Sequence, residues 1–121
     1  MLNFASASIY LCVAPTDMRK SFDGLSALAR EHLKQDPLSG AWFVFRNRRA
    51  DRLKLLYWDG DGFAIWQKRL EIGSFEFPEV EVGDAAAGVS IRATDLALIL
   101  GGIDLASAKR RKRFTPERRA G

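Results

Sequence analysis

The sequence predicts an α+β domain: an antiparallel sheet of four to six strands, one long helix packed on a face, and a short helix near the C-terminal end. Three observations lead there. Between residues 42 and 70, apolar runs of strand length are separated by short polar clusters: Trp42-Phe43-Val44-Phe45, Leu53-Lys54-Leu55-Leu56-Tyr57-Trp58, and the run from Phe63 to Leu70. Asp59-Gly60-Asp61-Gly62 gives Asp-Gly twice in four residues. That pattern supplies the positive backbone torsion of a tight hairpin and folds Tyr57-Trp58 back on Phe63. Upstream, Met18, Phe22, Leu25, Leu28 or Ala29, and Leu33 recur at helical spacing and make one apolar stripe.

Taken in order, Ile9-Tyr10-Leu11-Cys12-Val13 is a short apolar run that reads as a buried strand. Thr16 or Asp17 then caps the helix, which ends near Asp36-Pro37 because a residue preceding proline avoids the helical region. Leu38-Ser39-Gly40 is a turn into the three strands. Leu70 to Phe77 continues the sheet through a turn at Gly73-Ser74, and Pro78 ends the pairing. Residues 83–88 read as a loose connector, and Val89-Ser90-Ile91 as a short edge strand. Thr94 or Asp95 opens the last helix, with Leu96, Ile99 and Leu100 inward and Gly101-Gly102 as its stop. Ile103 and Leu105 tuck down against the sheet. Residues 1–105 thus form a single domain.

The charge is unevenly divided. Residues 106–121 hold seven Lys or Arg and one Glu, net +6, whereas residues 1–105 are net −2, so the basic pI comes from the end of the chain. Lys109, Arg110, Arg111, Lys112 and Arg113 form a basic block expected to be a solvated, disordered tail, attractive to DNA, RNA or an acidic membrane. Inside the domain, Arg46, Arg48, Arg49 and Arg52 put four arginines in seven residues beside Asp51, more charge than a turn requires; Lys54 follows. From residue 71 to 84 all five charges are negative. Arg19 and Lys20 fall at the expected helix start, where capping favours acids. Either Arg19 pairs with Asp23 one turn later, or the helix start and both cations hold an anion such as a phosphate.

Composition narrows the function classes. With 121 residues, 47% of them hydrophobic, the chain supports a core without staples. One cysteine and one histidine exclude a zinc constellation and a disulfide frame. Cys12 is expected in the core and His32 at or near the surface. No apolar run reaches bilayer length and no secretory leader is evident, which implies a cytoplasmic protein without a membrane partner. No cofactor is implied, since P-loop and dinucleotide glycine patterns are missing. Asp59 and Asp61 are a carboxylate pair of the kind a metal nuclease uses, and turn geometry explains them better. The aromatic content exceeds what one small core needs, so an exposed ring beside arginine is a further possibility for stacking on bases or a partner.

Several motifs carry a resemblance: Pro15-Thr16-Asp17-Met18-Arg19-Lys20-Ser21-Phe22-Asp23-Gly24-Leu25, the Asp36-Pro37 and Ser39-Gly40 pairs, Phe43-Val44-Phe45-Arg46-Asn47-Arg48-Arg49, Lys54-Leu55-Leu56-Tyr57-Trp58-Asp59-Gly60-Asp61-Gly62, and Gly101-Gly102-Ile103-Asp104. In this order, over roughly residues 9–105, the chain resembles the TnpB-type accessory protein of bacterial insertion sequences of the sixty-six family, which is unrelated to the RNA-guided nuclease of the same symbol. It departs from that pattern at Ala14, where glycine is frequent, and at Arg92-Ala93, where Thr-Pro often opens the last helix. The resemblance implies an auxiliary role in DNA transposition beside a separate transposase and a second accessory protein. On that basis the expected function is non-catalytic binding of double-stranded DNA, transposon ends included, through Arg19, Lys20, Arg46, Arg48, Arg49, Arg52, Lys54 and the basic tail. The rival reading is an adaptor that binds the transposase and touches DNA weakly.

Overall fold

The computed structural model describes residues 6–78 and 88–102. Within them run β1 (Ile9–Leu11), α1 (Phe22–Glu31), β2 (Trp42–Arg46), β3 (Arg52–Trp58), β4 (Phe63–Arg69), β5 (Val89–Ile91) and α2 (Ala93–Gly101). The strands form one five-stranded sheet in the order β4-β3-β2-β1-β5. It is largely antiparallel, as expected, with one exception: β1 and β2 pair in parallel, Ile9 opposite Trp42 and Leu11 opposite Val44. The intervening helix accounts for this. A connection that runs back along the sheet as α1 returns the chain in its original direction, which a two-residue turn cannot do.

The hairpin is where the sequence expectation placed it. Asp59 N–H donates to Gly62 O at 2.7 Å, and Gly60 takes φ +84°. Trp58 therefore lies opposite Phe63, edge to face at 5.1 Å, and the ladder continues to Arg52 opposite Arg69. On the neighbouring pair, Trp42 stacks on Tyr57 with ring centroids 4.0 Å apart.

Alternation along the strands builds two cores, one on each face. Phe43, Phe45, Leu56 and Cys12 pack with Leu25 and Ala29 of α1 and with Leu33. Trp42, Val44, Leu53, Leu55, Ile9 and Leu11 pack with Leu96 and Ile99 of α2 and with Phe75. Central β2 is consequently buried over its first four residues. Cys12 belongs to the first core, 2% exposed, and burial pushes its thiol pKa up.

The first helix and the 70–78 segment depart most from expectation. The first helix begins at Phe22, with Ser21 as N-cap and no side-chain cap, so neither Thr16 nor Asp17 caps it. It ends at Glu31, five residues before Asp36; Lys34 turns the chain with φ +59°. Phe22, assigned to the buried stripe, is 46% exposed, because the helix buries only Leu25, Ser26 and Ala29. Residues 70–78 are irregular rather than a strand. They fold back over the β2–β3 loop, where Leu70 N–H bonds Asp51 O at 2.8 Å and Phe75 N–H bonds Ala50 O at 2.7 Å. Burying Leu70 and Phe75 together in the α2-side core outweighs further pairing along β4.

The short edge strand at residues 89–91 is present and pairs antiparallel with β1. Helix α2 opens one residue early, at Ala93, with Asp95 reaching back to Arg92 N–H at 3.1 Å, and Gly102 closes it at φ +82°. Most of the connector at 83–88, the tucking of Ile103 and Leu105, and the tail all lie outside the described residues.

Candidate functional site

The β2–β3 loop begins where the ladder ends at Arg46 opposite Leu53. Its residues 47–51 are fastened from within and from behind. Asn47 does most of the internal work: its Nδ2 donates to Asp51 Oδ1 at 2.7 Å, its Oδ1 accepts Arg52 N–H at 2.9 Å, and its carbonyl accepts Ala50 N–H at 3.0 Å. Those bonds hold Ala50 at φ +62°, a left-handed conformation a residue with a Cβ adopts at some cost. From behind, the 70–78 segment bonds the carbonyls of Ala50 and Asp51. The Asn47 bond, and then the charges of Arg49 and Arg52, keep the Asp51 carboxyl below its usual pKa range.

On this frame Arg48, Arg49 and Arg52 are exposed, and none forms an ion pair among the described residues. Next to the loop sits the 16–20 turn, bound to the end of β2 by Thr16 N–H to Arg46 O at 2.9 Å. A groove of about 330 Å3 runs between the two, lined by Met18 and Asp17 on one side and by Asn47, Arg48, Arg49 and Arg52 on the other. The two basic segments singled out in the sequence are thus spatial neighbours.

Within the turn, Asp17 accepts Arg19 N–H at 2.9 Å and the Arg19 guanidinium in a fork, with contacts of 2.7 and 3.1 Å. Those hydrogen bonds hold the Asp17 carboxyl down to about 2. Of the two readings of Arg19, the pair with Asp23 is replaced by this closer one with Asp17. Since α1 starts at Phe22, Arg19 and Lys20 precede the helix rather than occupy its first turn; Asp23, an acid, stands there as capping favours.

Two of the sequence-derived cations face inward. Lys54 lies between Phe45 and Gln67 across the sheet and is 9% exposed; its Nζ donates to the carbonyls of Met18 at 2.9 Å and Lys20 at 2.7 Å. It is a strut that carries the 16–20 turn, so its place among surface contacts is corrected. Arg46 projects to the opposite face, where Nη1 donates to Phe75 O at 2.7 Å and the guanidinium carbon lies 3.9 Å from the Phe77 ring centre. Burial pushes its pKa down, against the field of Glu76. It anchors the 70–78 segment, and the aromatic ring beside arginine anticipated in the sequence is an internal contact.

One cation escaped the sequence reading. Arg69 stands directly across from Arg52 and therefore on the same face, paired at 3.2 Å with Glu71. The signal was available, because counting outward from the Asp59–Gly62 turn brings positions 52 and 69 together. Lys109 to Arg113 lie outside the described residues. Asp59 and Asp61 are in the hairpin turn, and among the described residues no three His, Cys, Asp or Glu side chains are grouped to hold a metal. No helix among the described residues is long and apolar enough to cross a membrane.

Fold and site together define a small α+β protein whose sheet ends, on one side, in a rigid loop of outward arginines. The chain belongs to the family of IS66 Orf2 like proteins, whose model matches residues 7–110. It is also similar to two proteins of Sinorhizobium fredii (strain NBRC 101917 / NGR234). Uncharacterized protein y4jC is 38% identical over 103 residues, covering 85% of each chain. Uncharacterized protein y4hO is 38% identical over 96 residues, 79% of this chain and 80% of its own. No solved structure matches. Membership in an insertion-sequence family associates the chain with transposition, in agreement with the resemblance carried by the sequence motifs.

Proposed function

We propose that the protein is a non-catalytic accessory factor of transposition that binds double-stranded DNA along its backbone and thereby assists a separate transposase. The observation that carries this reading is the pair Arg48 and Arg49: exposed, without an ion pair among the described residues, and mounted on a loop fixed at both ends. Arginine so presented loses little conformational freedom when it meets a phosphate, and its planar fork matches two phosphate oxygens. Arg52 lines the same groove, Lys20 belongs to the neighbouring 16–20 turn, and the basic block at residues 109–113 adds phosphate contacts in this reading. Arg46 and Lys54 make no direct phosphate contact in this reading, since each already donates to the backbone within the fold. Phosphate contacts position a protein without reading bases. Sequence choice then falls to the transposase or to the second accessory protein of the element.

The test is duplex-DNA affinity against salt for the full chain and two full-length variants. Changing Arg48 and Arg49 together to Ala is expected to flatten the log-log slope by about 2, since each phosphate contact adds about 0.9. Changing Lys109 to Arg113 to Gln measures the tail's share. Wild-type binding by the loop variant, with binding lost in the tail variant, would contradict this reading and favour the adaptor, which meets the transposase and touches DNA only by its tail.

A further inference from the structure

A second groove, of about 390 Å3, adjoins the first through Met18 and Arg52 and is also lined by Gln67, Lys68, Arg69 and Glu71. Its floor is set by strand register. Arg52 faces Arg69, and one step inward on the same face Lys54 faces Gln67. Two guanidinium groups directly opposite each other repel, and such a pairing weakens a sheet unless an anion sits between them. The Lys54 ammonium adds a third positive charge, buried, hydrogen-bonded to carbonyls alone and with no carboxylate paired to it among the described residues. A buried charge of that kind acts at greater strength than a solvated one. The acid that lines the groove, Glu71, holds Arg69 by a 3.2 Å contact in which both side chains are more than half exposed. Exposed pairs of this sort are weak and readily exchanged.

We propose that this groove is a discrete seat for one phosphate group, gripped by Arg52 and Arg69 and backed by Lys54, with Glu71 as the internal carboxylate the phosphate displaces. Phosphate oxygens are the chemistry that both arginine forks recognise. The natural source would be a DNA phosphodiester, which rests on the reading above; free phosphate is the other source. Gln67, opposite Lys54, supplies a neutral amide donor at the inner end.

Salt-dependent duplex binding and titration with inorganic phosphate, both on the full chain, test the seat. Glu71→Gln frees Arg69 and is expected to tighten binding by about two- to five-fold. Arg69→Gln is expected to weaken it about tenfold and to flatten the salt slope by about 0.9, whereas Arg69→Lys keeps the slope and recovers only part of the affinity. Arg69 and Glu71 are both more than half exposed, so the melting temperature of each variant should move by no more than a few degrees. Tightening toward duplex alone identifies the phosphodiester as ligand, and tightening toward both ligands admits free phosphate; either supports the seat. If Arg69→Gln and Glu71→Gln bind as wild type while the Arg48 and Arg49 double variant is impaired, the seat is overturned and the DNA reading stands. If none of these variants changes binding, both fall.

Discussion

Arg46 and Lys54 on one side, Arg48 and Arg49 on the other, come from a single nine-residue stretch and do opposite things. The first two sit in strands, where register decides direction: Arg46 turns to the α2 face and spans to Phe75 and Phe77, and Lys54 turns to the α1 face and holds the carbonyls of the 16–20 turn. The other two sit where the ladder has ended, on a loop whose backbone needs are met by Asn47 and by the 70–78 segment. Charge density in a sequence window therefore overstates an interface. Arg46 and Lys54 build the platform, and Arg48 and Arg49 stand outside it, exposed.

The largest effect should come from removing the platform. Phe75 is fully buried beneath the loop, so Phe75→Ala is expected to destabilise the fold by about 3–5 kcal/mol and to release Ala50 and Arg46 together, measured by chemical denaturation. Next, Lys54→Met leaves the Met18 and Lys20 carbonyls without their donor and is expected to cost about 1–3 kcal/mol, with amide shifts confined to residues 16–20 and the adjoining strands. Arg48→Ala with Arg49→Ala is the opposite case. It should change stability by no more than about 0.5 kcal/mol while lowering the salt slope of DNA binding as stated.

Smallest is the Asp17 pair. Its carboxyl, held near 2 by Arg19, contributes to the fold above its ordinary value of 3.8, and that contribution is lost as pH falls through about 2. Both partners are solvent-exposed, so the effect on global stability is slight, and carbon-detected NMR titration is the suitable measurement. Arg19→Gln should return the Asp17 midpoint toward 3.8.

How legible all this was depends on range. The Asp-Gly turn fixed β3 against β4 from sequence alone, and with it the Arg52–Arg69 juxtaposition, although only one of the two arginines was singled out. The unbroken apolar run from Trp42 to Phe45 shows no faces in the sequence; strand geometry sends Phe43 and Phe45 to one core and Trp42 and Val44 to the other. The parallel β1–β2 pair was not legible, because short apolar runs carry no direction; it follows from where the helix lies. Nor was the burial of Lys54, whose partners are 34 and 36 residues away and are backbone carbonyls, which no side-chain pattern reports. The 70–78 segment looked like a strand because Phe75 and Phe77 alternate. They alternate to place one ring in the core and the other under Arg46.

The division between inward and outward cations is tested most directly by following every arginine Nε–H signal by NMR as duplex DNA is added to the full chain. The account requires the Arg48 and Arg49 signals to move early and in proportion to bound DNA while that of Arg46, bonded to Phe75 O and stacked on Phe77, stays in place. Equal movement of all three, or movement of Arg46 alone, would contradict it.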